Sequence, residues 1–260
     1  MVPVGNTHGD LLFPQGGNMQ DKLRIVLKTV AVVLFTLGLV IVLLHAIKNN
    51  IRQNVSNNAI EVAESIIEEG GNESEVTVLV PKTGFLAVDG EAGEDDASLA
   101  ELLHEMQTIA SEHEKLTLLG ILEIPCINVK EPIWDRCSTT ALRFGVGRFP
   151  ETCNIGEEGN CTLFGHRMRQ SQTIFWQLQT LEKHIGEEVI VTTTDGVRHN
   201  YKIYDTVYVK DAAIDPYLRD DLFDTEHLCL ATCGYGQDPY NKNIYRAKNT
   251  EFIVICVPES

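Results

Sequence analysis

Apolar residues run almost without a break from Thr29 to Ile47 (TVAVVLFTLGLVIVLLHAI), 19 positions with no Asp, Glu, Lys or Arg. As a helix rising 1.5 Å per residue, that run spans roughly 28 Å, the thickness of a bilayer's hydrocarbon core. The competing element is a cleaved signal peptide. Its apolar region would run to about 7–15 residues and end in a small-x-small site, for which LHAIKN is a poor fit. A retained transmembrane anchor over 29–47 is therefore expected, behind an aperiodic tail at 1–28. Lys22, Arg24 and Lys28 precede the run and Lys48 and Arg52 follow it, so flanking charge orients it only weakly, towards a cytoplasmic N-terminus.

Residues 48–115 alternate between helical spacing and flexible composition. NAIEVAESIIEE (Asn58 to Glu69) and ASLAELLHEMQTIA (Ala97 to Ala110) place apolar residues at helix intervals, and Leu99, Leu102, Leu103, Met106 and Ile109 would share one stripe. The second helix is expected to pack on the domain that follows. Between the two lies GGNESEVTVLVPKTGFLAVDGEAGEDD, a linker with a short β-like run as its one apolar island and an acidic, Gly-rich end. The reading is a partly helical stalk or linker. From Leu118 the spacing shortens. LLGILEIP, INVKEPIW, CTLFGH, EVIVTTTDG, HNYKIYDTVYV, HLCLATC and EFIVICV are strand-like runs, most of them separated by turn residues. Only ALRFG and FWQLQTLEKH suggest short helices. Seven or more short strands over residues 116–260 predict a closed or nearly closed β-barrel, so the chain is expected to be mainly β.

Composition sharpens this picture. The chain has 260 residues, 43% of them apolar, enough for a core. Its net charge of −16 argues against a nucleic-acid partner. The acidity is local: residues 61–114 hold 15 acidic side chains against one basic one, Lys82.

Five blocks then carry a resemblance: GILEIPCINVKEPIW, ALRFGVGRFPET, GEEGNCTLFGHRM, the segment from IFWQLQTLEKH to HNYKI, and HLCLATC. In order and spacing, over roughly residues 116–257, they resemble a sortase. The GHRM tetrapeptide looks most like class B, whereas the stretch from Tyr201 to Cys233 is shorter than the helical insertion typical of that class; the subclass stays open. The resemblance implies a cysteine transpeptidase outside a Gram-positive cell, without cofactor. Its partners would be surface proteins bearing a sorting signal and an amine acceptor in a peptidoglycan precursor or a pilin.

The chemistry fits that reading. A thiolate is a strong nucleophile, yet an ordinary thiol is only a few per cent ionised at neutral pH and needs a partner. Cys233 ends the run HLCLATC before a Gly-rich loop, and His166 ends CTLFGH, so the two can lie side by side in one sheet. Cys233 would attack a peptide carbonyl and His166 would protonate the departing amine. Sortases add an arginine at the start of the strand after the cysteine loop, as oxyanion donor. Here the residue before FIVICV is Glu251, and Arg246 is the only arginine after Cys233. The role is assigned to Arg246, on the expectation that an extended strand begins near it. Thr232 and Tyr235 are candidates for the substrate groove. His104, His113, His184, His199 and His227 lack such a context. The other six cysteines leave disulfides or reduced core thiols equally open, Cys153 with Cys161 being the closest candidate pair. No C-x-x-C pair suggests zinc.

Val80, Pro81, Lys82, Thr83 and Gly84 spell VPKTG, an LPxTG-like sorting signal with Val for Leu. It lacks the C-terminal apolar helix and basic tail of a true signal, so it is read as a possible pseudosubstrate visiting the chain's own groove, with a chance strand-and-turn as the alternative. The expected whole is a single-pass membrane protein, N-terminus cytoplasmic and barrel outside. It would cut a Thr–Gly-type bond and pass the acyl group from Cys233 to an amine. A hydrolytic cysteine peptidase and an inactive surface binding module are the alternatives.

Overall fold

The computed structural model describes residues 19–71, 76–82, 113–167, 174–234, 236–237, 245–246 and 249–259. They fall into two units, Met1–Lys48 and Asn49–Ser260. The first is helical, from the start of α1 (Met19–Glu68). Its stretch Lys22–Leu43 is long and apolar enough to cross a membrane, with mean hydropathy 2.7, and it starts earlier than the expected Thr29. Leu34, Phe35, Ile41 and Val42 are all exposed. A helix apolar on every side, with none of those sides covered, is suited to lipid rather than water.

The second unit is built on β1 (Val76–Pro81), β2 (His113–Ile124), β3 (Val129–Trp134), β4 (Val146–Arg148), β5 (Asn160–Phe164), β6 (Glu188–Thr193), β7 (Arg198–Lys210) and β8 (His227–Cys233). Two-residue strands β9 (Gly236–Gln237) and β10 (Tyr245–Arg246) follow, then β11 (Thr250–Pro258). Strand order β2-β3-β4-β5-β8-β11-β7-β6 returns to β2 through a β2–β6 pairing, giving a closed barrel of eight strands. Closure satisfies both edges of every barrel strand and leaves none to template aggregation. All seven strand-like runs of the sequence are strands here. ALRFG lies in the short helix α2 (Thr139–Phe144), capped by Ser138, whose hydroxyl accepts from the Ala141 N–H at 3.1 Å.

Alternation along β8 and β11 buries both faces. Leu228, Leu230, Phe252, Val254 and Cys256 point into the barrel with Leu122, Leu163 and Tyr201. Cys229, Ala231, Ile253 and Ile255 point outward under Val207, Ile214, Tyr217 and Phe223. This double burial explains why HLCLATC and EFIVICV read as continuous apolar runs.

The stalk expected over 48–115 is corrected where it is described. Residues 49–68 are helical, as the Asn58–Glu69 spacing predicts, but they are no tether. Ala59, Ile60 and Ala63 are buried against Val76, Leu116, Leu118, Trp134 and Phe144. The two alanines, one turn apart, let the helix backbone approach the sheet closely. Ser56 donates to Glu131 Oε2 at 2.7 Å and Arg52 to Oε1 at 3.3 Å, tying α1 to β3. The island VTVLVP is β1, antiparallel to β2 from Val76–Leu118 to Pro81–His113. Leu118 also pairs with Trp134, so β1 takes the edge of β2 opposite β3, the edge β6 occupies from Gly120 to Glu123. The expected helix Ala97–Ala110 lies outside the described residues.

Candidate active site

Strands β5 and β8 are parallel neighbours, in register from Asn160–His227 to Phe164–Ala231. Parallel strands leave the sheet at the same rim, so His166 and Cys233, each two residues beyond the last pair, follow neighbouring strands out at that rim. The last pair is closed by the Gly165 N–H, which donates to the Ala231 carbonyl at 3.1 Å. Thr232 Oγ1 donates to the Gly165 carbonyl at 2.6 Å. Both candidate side chains are half-buried, shielded yet reachable.

The glycines beside them are there for close approach. A Cβ on Gly165 would lie 2.4 Å from the Phe175 ring, and one on Gly234 would lie 2.8 Å from the Glu251 backbone. Neither distance is tolerable, so any side chain here would push the ends of β5 or β8 out of place.

Across the sheet, Cys233 pairs with Glu251 of β11, and directly opposed antiparallel residues share a face. Arg246 stands elsewhere. The expected single strand from Arg246 is corrected: β10 is a separate piece, pairing Arg246 with Gly236 and Tyr245 with Gln237, and β11 begins only at Thr250. From the Cys233–Glu251 pair to the Gly236–Arg246 pair, β8–β9 advances three residues and the return chain five. The Arg246 backbone therefore sits on a hairpin extension just beyond Cys233.

Three other candidates need comment. Thr232 is not in a groove: it is 1% exposed and its hydroxyl points between strands, because alternation puts it on the face opposite Cys233. Val80 is fully buried in the α1 contact and Pro81 pairs with His113, while Lys82 is exposed. VPKTG could enter a groove only after β1 left β2 and Val80 left the core, so a freely visiting pseudosubstrate is not what this fold offers. Tyr235, Thr83 and Gly84 lie outside the described residues.

No disulfide joins the seven cysteines. Cys153 Sγ instead donates to the Glu158 carbonyl at 3.1 Å. Burial pushes Cys137 and Cys161 up to about 12, and it pushes Cys229 and Cys256 up as well. Cys126 and Cys153 are raised too, again mainly by burial. Burial thus favours the protonated form of all six thiols. Among the described residues no group of three or more His, Cys, Asp or Glu is placed to hold a metal.

One contact escaped the sequence. Gln179 is 3% exposed, and its Nε2 donates to the Gly234 carbonyl at 3.2 Å. It lies in the 3-10 turn Leu178–Lys183, just after Phe175, whose N–H donates to the His166 carbonyl at 2.9 Å. Helical spacing in FWQLQTLEKH marks its apolar stripe and offers no signal that a polar side chain is buried there.

With this geometry in place, the comparisons with known proteins are informative. Residues 122–250 match the sortase domain family. Sortase D of Bacillus subtilis (strain 168) is 34% identical over 115 residues, covering 44% of this chain and about half, 53%, of that protein. A Clostridium perfringens Sortase D5 transpeptidase superposes with TM-score 0.50 at 19% identity, covering 80% of this chain and 99% of its own, which supports the fold. A sortase C of Clostridium perfringens, solved with the C-terminal cell wall sorting motif, gives TM-score 0.45 at 25% identity, covering 55% of this chain and 71% of its own. The connection from β7 to β8 holds only short 3-10 turns. Closed barrel, five sequence blocks and domain match agree, and residues 122–250 belong to the sortase domain family.

Proposed function

We propose that this protein is a membrane-anchored cysteine transpeptidase acting on surface proteins that carry an LPxTG-like sorting signal. The observation that supports the reading is the parallel register of β5 with β8, which runs to within two residues of His166 and Cys233 at one barrel rim. The Cys233 thiolate adds to the carbonyl carbon of the signal's Thr, giving a tetrahedral oxyanion. As that intermediate collapses, the Thr–Gly C–N bond breaks and the His166 imidazolium gives its proton to the departing Gly amine. A thioester on Cys233 remains. An incoming amine, from a peptidoglycan precursor or a pilin lysine, then attacks it and passes a proton to His166. Cys233 leaves as thiolate, restoring the starting pair.

Arg246 is assigned to oxyanion stabilisation, supported by its backbone position on the hairpin extension past Cys233. The apolar stretch Lys22–Leu43 supports anchoring by one span, and chemistry on surface proteins puts the barrel outside and the N-terminus in the cytoplasm. Glu251, opposite Cys233 where sortases place an arginine, is the observation that favours a second reading, an inactive binding module. Product analysis with an LPxTG-like peptide separates these. Cleavage with capture by an added amine supports transpeptidation, release of the free acid alone indicates a hydrolase, and an unchanged peptide indicates the binding module.

A further inference from the structure

The segment Ile174–Lys183 touches both halves of the candidate site. Its Phe175 N–H holds the His166 carbonyl at 2.9 Å, and its Gln179 Nε2 holds the Gly234 carbonyl at 3.2 Å. Gly234 is then fixed at both polar groups, because its N–H donates to the Thr250 carbonyl at 2.6 Å. Gly234 follows Cys233 directly and has no side chain to pack, so these two hydrogen bonds and the close approach of β11 fix the chain's exit from the nucleophile. One of the two comes from β11. The other comes from the segment that also holds His166.

We infer that Gln179 is a positioning residue for the Cys233–His166 chemistry: it locks the Gly234 peptide and so couples the placement of the thiol to that of the imidazole. This rests on the reading of Cys233 and His166 as the reacting pair. The physical requirement is plain. Thiol-to-carbonyl attack and proton delivery both need sub-ångström alignment, and a shift of about 1 Å can lower a rate by about 10²-fold. Gln179 is suited to the role because a buried amide that donates to a carbonyl has few other states to adopt. A buried apolar side chain of equal length would fill the space but leave the Gly234 carbonyl without this donor.

Two substitutions of the full chain separate positioning from packing. Gln179→Met keeps length and removes the donor. Gln179→Glu keeps shape, and its carboxyl donates an O–H to the Gly234 carbonyl only while protonated. Turnover of an LPxTG-like peptide with a fixed amine, from pH 5 to 8, is measured beside the rate of covalent adduct formation on Cys233 and the thermal midpoint. Gln179→Met is expected to lower kcat by about 10- to 10²-fold at every pH, with KM within about twofold. The ratio of Gln179→Glu to wild-type kcat is expected to rise as pH falls. Wild-type adduct formation rates in Gln179→Met would overturn the inference, as would a Gln179→Glu ratio flat with pH. Failure of the wild-type protein to form any Cys233 adduct would instead remove the underlying assignment of the reacting pair.

Discussion

The hydroxyl of Thr232 donates a 2.6 Å hydrogen bond to the carbonyl of Gly165, joining the residue before Cys233 to the residue before His166. The bond is buried and crosses between parallel strands, a pairing that has no hairpin to hold it in register. Thr232→Val keeps the shape and strands the Gly165 acceptor, at a cost of about 1–3 kcal/mol. A lower thermal midpoint with a fall in kcat/KM is expected, and Thr232→Ser is expected to recover most of both. Melting curves and peptide turnover of the two variants check it.

Residues 49–68 belong to the folded unit, so the site of truncation matters. A protein beginning at Asn49 is expected to be soluble and active. One beginning at residue 54 lacks Arg52 and leaves Glu131 with Ser56 alone, a loss on the order of 1–3 kcal/mol, since the pair is only partly buried. One beginning at residue 70 uncovers Trp134 and Phe144 and is expected to aggregate. Size-exclusion profiles and melting of the three proteins distinguish these outcomes.

Glu131 also gives stability a pH signature. Burial pushes its carboxyl above the usual carboxylate range, and Arg52 and Ser56 only partly oppose this. The folded state therefore holds a proton that the unfolded chain releases. This contribution is full below the unfolded value and is lost as pH rises through the raised folded one. Gln at this position does not titrate. The midpoint of the wild type relative to Glu131→Gln is therefore expected to fall as pH increases from about 4.5 towards neutrality. Parallel melts across that range read the slope, and a difference constant with pH contradicts it.

Arg246→Ala is expected to lower kcat by about 10²–10³-fold if its guanidinium meets the oxyanion. A near-normal rate in steady-state assays moves that role to another donor and leaves Cys233 and His166 in place.

The sequence made the barrel legible because its strands alternate or run apolar between turn residues, and it marked Cys233 and His166 as candidates because each ends such a run. What it hid was long-range. NAIEVAESIIEE has the spacing of any amphipathic helix, and nothing in it says that Ala59 and Ala63 close on Trp134. VTVLVP looked like an island in a linker because its partner, β2, lies across the acidic stretch. Thr232 and Gln179 were misread or missed since the burial of a polar side chain depends on a carbonyl supplied by another strand. Arg246 was assigned by elimination, and no local pattern announces that β10 and β11 are separate strands.

Intact-mass spectrometry with peptide mapping, after mixing the protein with an LPxTG-like peptide and no amine, tests the reacting pair most directly. The account predicts an adduct of the peptide's N-terminal portion through Thr, as a hydroxylamine-labile thioester on Cys233. It predicts none on Cys126, Cys137, Cys153, Cys161, Cys229 or Cys256, and none in Cys233→Ala. Peptide cleavage that persists in Cys233→Ala, or an acyl group mapped to any other residue, would contradict it.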